Sequence, residues 1–87
     1  MSVHSTMRVK VLFFGRLREV AGRSEQTVEL PAGVSLGQLF EICASRRPEL
    51  ARYRSSLVAS RNQEFAAWDS PLEPDDEIAF LPPVSGG

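Results

Sequence analysis

A single helical stripe has to serve a whole set of strands in this chain. Leu36, Leu39, Phe40 and Cys43 fall at i, i+3, i+4 and i+7, with Ile42 beside them, the spacing of one buried helix face. Ser35 followed by Gln38 fits a capping box at its start, and Pro48 ends it just after Arg47. The segments around it alternate with period two. From Met7 to Phe14, Val9, Val11 and Phe13 share one face and Arg8, Lys10, Leu12 and Phe14 the other; from Ser24 to Leu30, Gln26, Val28 and Leu30 oppose Glu25, Thr27 and Glu29. Leu17, Val20 and Ala21 between these runs make a short helical turn, closed by Gly22 where a left-handed cap is favoured. After the main helix, Glu49 to Ser56 reads as a connector with a turn of helix around Leu50 and Tyr53. Short strands follow at Leu57 to Ser60, in the apolar stretch Gln63 to Trp68, and at Glu77 to Leu81, where Ile78 and Phe80 oppose Ala79 and Leu81. Strand, strand, helix, strand, strand with one amphipathic helix predicts an α+β two-layer fold, the helix covering one face of a mixed sheet.

Length and composition narrow the function. A chain of 87 residues makes one domain with little room for an internal active-site cavity, so a module is expected rather than a self-contained enzyme. A net charge of −1 gives no broad electrostatic reason to bind nucleic acid or an anionic membrane. The basic cluster Arg46, Arg47, Arg52 and Arg54 lacks the aromatic interleaving of a single-strand site and reads as solvated. Cys43, the only cysteine, excludes an intrachain disulfide and a cysteine-rich metal site; on the apolar stripe it reads as core, and its solitude is compatible with a reducing cytoplasm. His4 lies alone in the polar stretch Met1 to Thr6, so no metal site is expected. With no apolar run near the ~18 residues of a membrane span, the expected location is the cytoplasm.

The end of the sequence carries the chemistry. Phe80-Leu81-Pro82-Pro83-Val84-Ser85-Gly86-Gly87 takes an apolar strand into two successive prolines, which fix φ, remove backbone donors and favour an extended path away from the body. Gly86 and Gly87 have no Cβ, so a terminus made of them passes a narrow channel and leaves both faces of its carboxyl carbon open to a nucleophile. The domain boundaries expected are a flexible extension over 1–6, a folded body over 7–81 and a flexible tail over 82–87.

Three blocks resemble the MoaD-like family, the small sulfur-carrier subunits of molybdopterin synthase: Val9-Lys10-Val11-Leu12-Phe13-Phe14-Gly15-Arg16-Leu17-Arg18-Glu19, Asn62-Gln63-Glu64-Phe65, and Leu72 to Gly87. Asp75 stands where that family commonly has glycine. The resemblance implies a β-grasp, ubiquitin-like fold in which the first and last strands are central neighbours. It implies that Gly87 is adenylated and converted to a thiocarboxylate, with Gly86 easing the tail's passage, and that the sulfur goes to the cyclic pyranopterin precursor in molybdenum cofactor biosynthesis. The partners implied are a large catalytic subunit, in a heterotetramer, an E1-like adenylating enzyme and a sulfurtransferase. No cofactor is held stably, ATP being the activator's substrate, and the chain is not catalytic alone. Phe14, Arg18, Phe65, Leu81, Pro82 and Pro83 are the expected partner-binding residues. The alternatives are a sulfur carrier for thiamine, cysteine or tRNA thiolation, a ubiquitin-like protein modifier, for which Lys10 is the only lysine, and an interaction domain with an inert tail.

Overall fold

The computed structural model describes residues 6–82. In chain order these form β1 (Thr6–Phe13), α1 (Arg16–Ala21), β2 (Glu25–Pro31), α2 (Leu36–Arg46), a 3-10 helix (Pro48–Ser56), β3 (Val58–Arg61), β4 (Glu64–Ala66) and β5 (Glu77–Leu81). The sheet order is β2-β1-β5-β3-β4. β1 runs antiparallel to β2 and parallel to β5, while β3 runs antiparallel to both β4 and β5. The first and last strands are therefore central neighbours, the β-grasp arrangement.

Alternation decides which face α2 covers. Met7, Val9, Val11 and Phe13 of β1, Val28 and Leu30 of β2, and Ile78 and Phe80 of β5 are all buried, and so is the α2 stripe Leu36, Leu39, Phe40 and Cys43. Phe80 joins the aromatic side chains at the centre: its ring lies edge-on to Phe40 at 5.2 Å and stacked with Trp68 at 6.1 Å between centroids. The Arg54 guanidinium sits 3.7 Å over the Trp68 ring, a cation–π contact closing the outer side of that stack.

The start of α2 is satisfied twice over. Ser35 Oγ accepts from the Gln38 N–H at 3.2 Å and Gln38 Oε1 accepts from the Ser35 N–H at 2.8 Å, the reciprocal capping box. The Leu36 and Gly37 N–H groups, otherwise orphaned in a first turn, donate to the carbonyls of Ser70 and Trp68 at 2.9 and 2.7 Å. Gly37 permits that approach, since a Cβ there would lie 3.1 Å from the Trp68 carbonyl oxygen. Arg47 leaves the α region (φ −134°, ψ 84°), which proline disfavours for the residue before it. The connector after it differs from the single turn expected. Pro48 starts a 3-10 helix nine residues long, whose Leu50 is buried and whose Tyr53 packs half-buried against the core.

A two-residue turn joins β3 to β4, with Asn62 at φ 52° and Gln63 at φ 73°. Positive φ at both central positions is the type I′ geometry that matches strand twist. Asn62 suits it and Gln63 does not. Asp75 also adopts a left-handed φ of 67°, so aspartate meets the demand glycine meets in the resembling family. Next to it, Asp76 is only 4% exposed and ties this hairpin to β5. Its carboxylate accepts from Arg61 Nε at 2.5 Å, Asn62 Nδ2 at 2.9 Å and the Glu73 N–H at 2.7 Å. Asn62 Oδ1 in turn accepts from the Glu77 N–H at 2.9 Å. Burial pushes the Asp76 carboxyl up, and the bonds from Arg61, Glu73 and Asn62 outweigh it, holding the group below the usual carboxylate range.

Two substitutions test this end of the sheet. Gln63→Gly removes the left-handed strain and raises stability by about 0.5–1 kcal/mol in urea unfolding. Asp76→Asn lowers stability at neutral pH by about 1.5–3 kcal/mol, the scale of hydrogen bonds to a charged group. Because the folded-state value is depressed, that loss is complete above an unfolded-state pKa of about 3.9 and shrinks as the pH falls through the folded value. Unfolding curves for both proteins at neutral and strongly acidic pH therefore converge at the acid end.

Candidate functional site

The side chains pointing away from α2 assemble one surface. Register places Leu12, Ala79, Ser60 and Phe65 in a single row across β1, β5, β3 and β4, with Leu81 opposite Val58 in a second row. Phe65 is 81% exposed, Val58 45% and Phe14 40%, and no other large apolar side chain among the described residues is so open. Leu12 and Leu81 are half-buried. Phe14 follows directly on Phe13, which pairs with Phe80, so it lies at the end of the sheet where β5 gives way to Pro82. Apolar residues thus collect on the helix-free face at the end from which the tail leaves.

The opposite end of the same face is polar and internally balanced. Lys10 pairs across with Thr27 and Glu77, and Arg8 with Glu29. The Lys10 ammonium stands 3.9 Å from Glu25. Exposed charges of alternating sign add little energy but keep this half of the sheet solvated. Apolar and charged halves divide the face, and exposed apolar side chains grouped in this way make a candidate docking site.

Pro82 marks the start of the exit path. Gly15, at φ 59° and ψ −135°, occupies backbone space that residues with a Cβ rarely adopt. A Cβ there would lie 3.0 Å from Pro82 Cγ, so the bare glycine backbone lets the proline ring settle against the β1–α1 junction. Arg18 lies exposed on α1, one turn beyond this junction, its N–H donating to the Gly15 carbonyl at 3.1 Å. The structure thus brings Phe14, Phe65, Leu81 and Pro82 to one face and end of the sheet, with Arg18 on the adjoining helix. Pro83, Gly86 and Gly87 lie outside the described residues, as do most of the two flexible segments expected at the ends. The body begins one residue early, Thr6 already pairing with Pro31.

Sequence reading missed part of the surface. Val58 belongs to it because β3 presents Ala59 inward and Val58 outward; alternation alone could have shown this, but four residues are too short a run to tell which face is buried. Leu12 was legible as the apolar end of a charged strand face. Cys43 is 4% exposed and burial pushes its thiol up to about 11, Arg46 pulling the other way, so the sulfur stays protonated at neutral pH and acts as packing. Among the described residues no group of His, Cys, Asp and Glu side chains could hold a metal ion, and no helix is long and apolar enough to cross a membrane.

If the outer row serves docking and not the core, Phe65→Ser changes unfolding free energy by less than about 0.5 kcal/mol, the usual scale for exposed sites. Phe80→Ala, on the inner face, costs about 3–5 kcal/mol. Urea unfolding of the two variants side by side measures the contrast.

Comparison with known proteins agrees with this geometry. The family model described as ThiS family matches residues 11–87. The molybdopterin synthase sulfur carrier subunit of Escherichia coli (strain K12) is 40% identical over 81 residues, covering 91% of this chain and 99% of that protein. Small archaeal modifier protein 1 of Haloferax volcanii superposes with a TM-score of 0.82 at 26% identity, covering 90% of this chain and 99% of that one. In the complex of subunits 1 and 2 of the molybdopterin-converting factor from Helicobacter pylori, one chain matches at a TM-score of 0.64 and 28% identity, covering 93% of this chain and all of that one. The sheet order, the central first and last strands and the sequence likeness along nearly the whole chain lead to one assignment: the chain belongs to the ThiS family, among the relatives of the molybdopterin synthase sulfur carrier subunits.

Proposed function

We propose that this chain is the sulfur carrier subunit of a molybdopterin synthase and that Gly87 is its reacting residue. The observation that carries the reading is the apolar end of the helix-free face, which surrounds the strand leading into Pro-Pro-Val-Ser-Gly-Gly. A docking surface at the root of a slender carboxyl tail suits a protein whose partner takes the tail into an active site. The Helicobacter pylori complex supports a large subunit as that partner.

The chemistry follows from the carboxylate. At a reference pKa near 3.5 it is anionic at neutral pH and a poor electrophile. An E1-like enzyme joins it to ATP as an acyl-adenylate, releasing pyrophosphate. A persulfide on a sulfurtransferase attacks the acyl carbon and expels AMP, and a second thiol cleaves the resulting acyl disulfide to free the thiocarboxylate. Seated in the large subunit, that sulfur attacks the cyclic pyranopterin precursor, two carriers supplying the two dithiolene sulfurs in a heterotetramer. The carrier brings a tethered reactant and the large subunit supplies orientation and acid–base groups. ATP belongs to the activating enzyme, no cofactor stays bound to the carrier, and the reactions take place in the cytoplasm.

Phe14, Phe65, Leu81 and Pro82, with Arg18 beside them, form the surface read in turn by the activating enzyme and the large subunit, and the resemblance gives Pro83 the same role. The likeness to small archaeal modifier protein 1 favours protein modification as a second reading. Intact-mass measurement separates the two. Incubation with ATP, an adenylating enzyme and a sulfur source should exchange one oxygen for sulfur, and deletion of Gly87 should abolish the exchange. Isopeptide-linked adducts without that exchange would mark a modifier. Phe65→Glu should weaken large-subunit binding by at least about tenfold, the effect of losing one well-packed anchor, measured by titration calorimetry.

A further inference from the structure

The arginines that sit close together in sequence separate in space. Arg54 goes to Trp68 at one side of α2. Arg46 and Arg47, at its far end, meet Arg23 from the α1–β2 turn around a cleft of about 110 Å³. That is room for three to four waters at about 30 Å³ each. Its floor is Phe13, Ala21, Cys43 and Leu50, all buried; its rim is the three arginines and Gln26. The cleft lies on the helix side of the sheet, away from the docking face.

Not one carboxylate lines it, although the chain carries eleven acidic residues against ten basic ones. The ion pairs among the described residues are Lys10 with Glu25 and Arg61 with Asp76, so the three guanidiniums have no partner there. The dipole of α2 accounts for Arg46 and Arg47 at its C-terminal end. It does not account for Arg23, which belongs to another segment and brings a third like charge to the same opening. Arg47 is also seated. A Cβ on Gly22, the left-handed cap of α1 at φ 80°, would lie 2.9 Å from one Arg47 terminal nitrogen and 3.4 Å from Cζ, so the guanidinium rests on bare glycine backbone.

We propose that this cleft binds a phosphate-type oxyanion. Guanidinium groups present forked N–H donors that match such oxygens two at a time, and Gln26 adds an amide. The cleft of about 110 Å³ has room for one phosphate group. The α2 C-terminus itself repels an anion, so affinity depends on the arginines. The anion is either free phosphate or the phosphate of a nucleotide.

The test is an NMR titration of the full chain with sodium phosphate at constant ionic strength, with chloride as the matched control. Saturable shifts at Gly22, Arg23 and Arg47 are expected. Arg23→Gln with Arg46→Gln should weaken binding by at least about tenfold, while Arg52→Gln leaves it unchanged. Tighter saturation by AMP than by phosphate would assign the site to a nucleotide phosphate, and the reverse order to the free anion. Shifts that do not saturate, that chloride reproduces, or that survive the double substitution would overturn the proposal.

Discussion

Lys10 to Phe13 lie beside Glu77 to Phe80 in parallel register at the middle of the sheet, and almost every other contact is arranged around that pair. A parallel pair needs a long crossover connection, and here most of the domain supplies it. β2 adds to the free side of β1, and β3 with β4 to the free side of β5. The α2 stripe then closes the inner face over Val11, Phe13, Ile78 and Phe80, none more than 2% exposed. The strand that leads to the tail is consequently hydrogen-bonded on both sides. Pro82 therefore follows directly on a strand anchored from both sides.

The two ends of β5 are secured by different physics. At its start, the Asp76 carboxylate gathers three donors, and the Asp76 carbonyl accepts from the Lys10 N–H at 2.9 Å. At its finish the neighbours are apolar: Phe80 among aromatic rings on one face, Leu81 beside Val58 on the other. Directional bonds hold one end, and apolar side chains, several of them exposed, gather at the other.

Much of this was legible because local signals agreed with one another. The α2 stripe, its Ser35 and Gln38 cap and the stop at Pro48 all name the same helix, and Gly22 closes α1 as its position suggests. Residue alternation also divided Ile78 and Phe80 from Ala79 and Leu81. What escaped depends on contacts distant in sequence. Nothing near Asp76 announces that its carboxylate is buried, because Arg61 and Asn62 come from another hairpin. The 3-10 helix over Pro48–Ser56 packs inward through Leu50 and Tyr53 alone, enough to suggest one turn but too little to show nine residues. The arginine cluster, read as one solvated patch, separates because Arg54 lies by Gly37 and Trp68 at the start of α2 and Arg46 in its last turn.

The central place of β5 also bears on when the domain becomes usable. Its partner β1 lies at the other end of the chain, and pairing of such distant segments closes a large loop before any contact rewards it. The β1–β2 hairpin and α2 have local contacts and form without that delay. Insertion of β5 between β1 and β3 is the step that brings Leu81 beside Val58. Leu81 and Val58 belong to different strands, so the apolar patch exists only once β5 has joined the sheet.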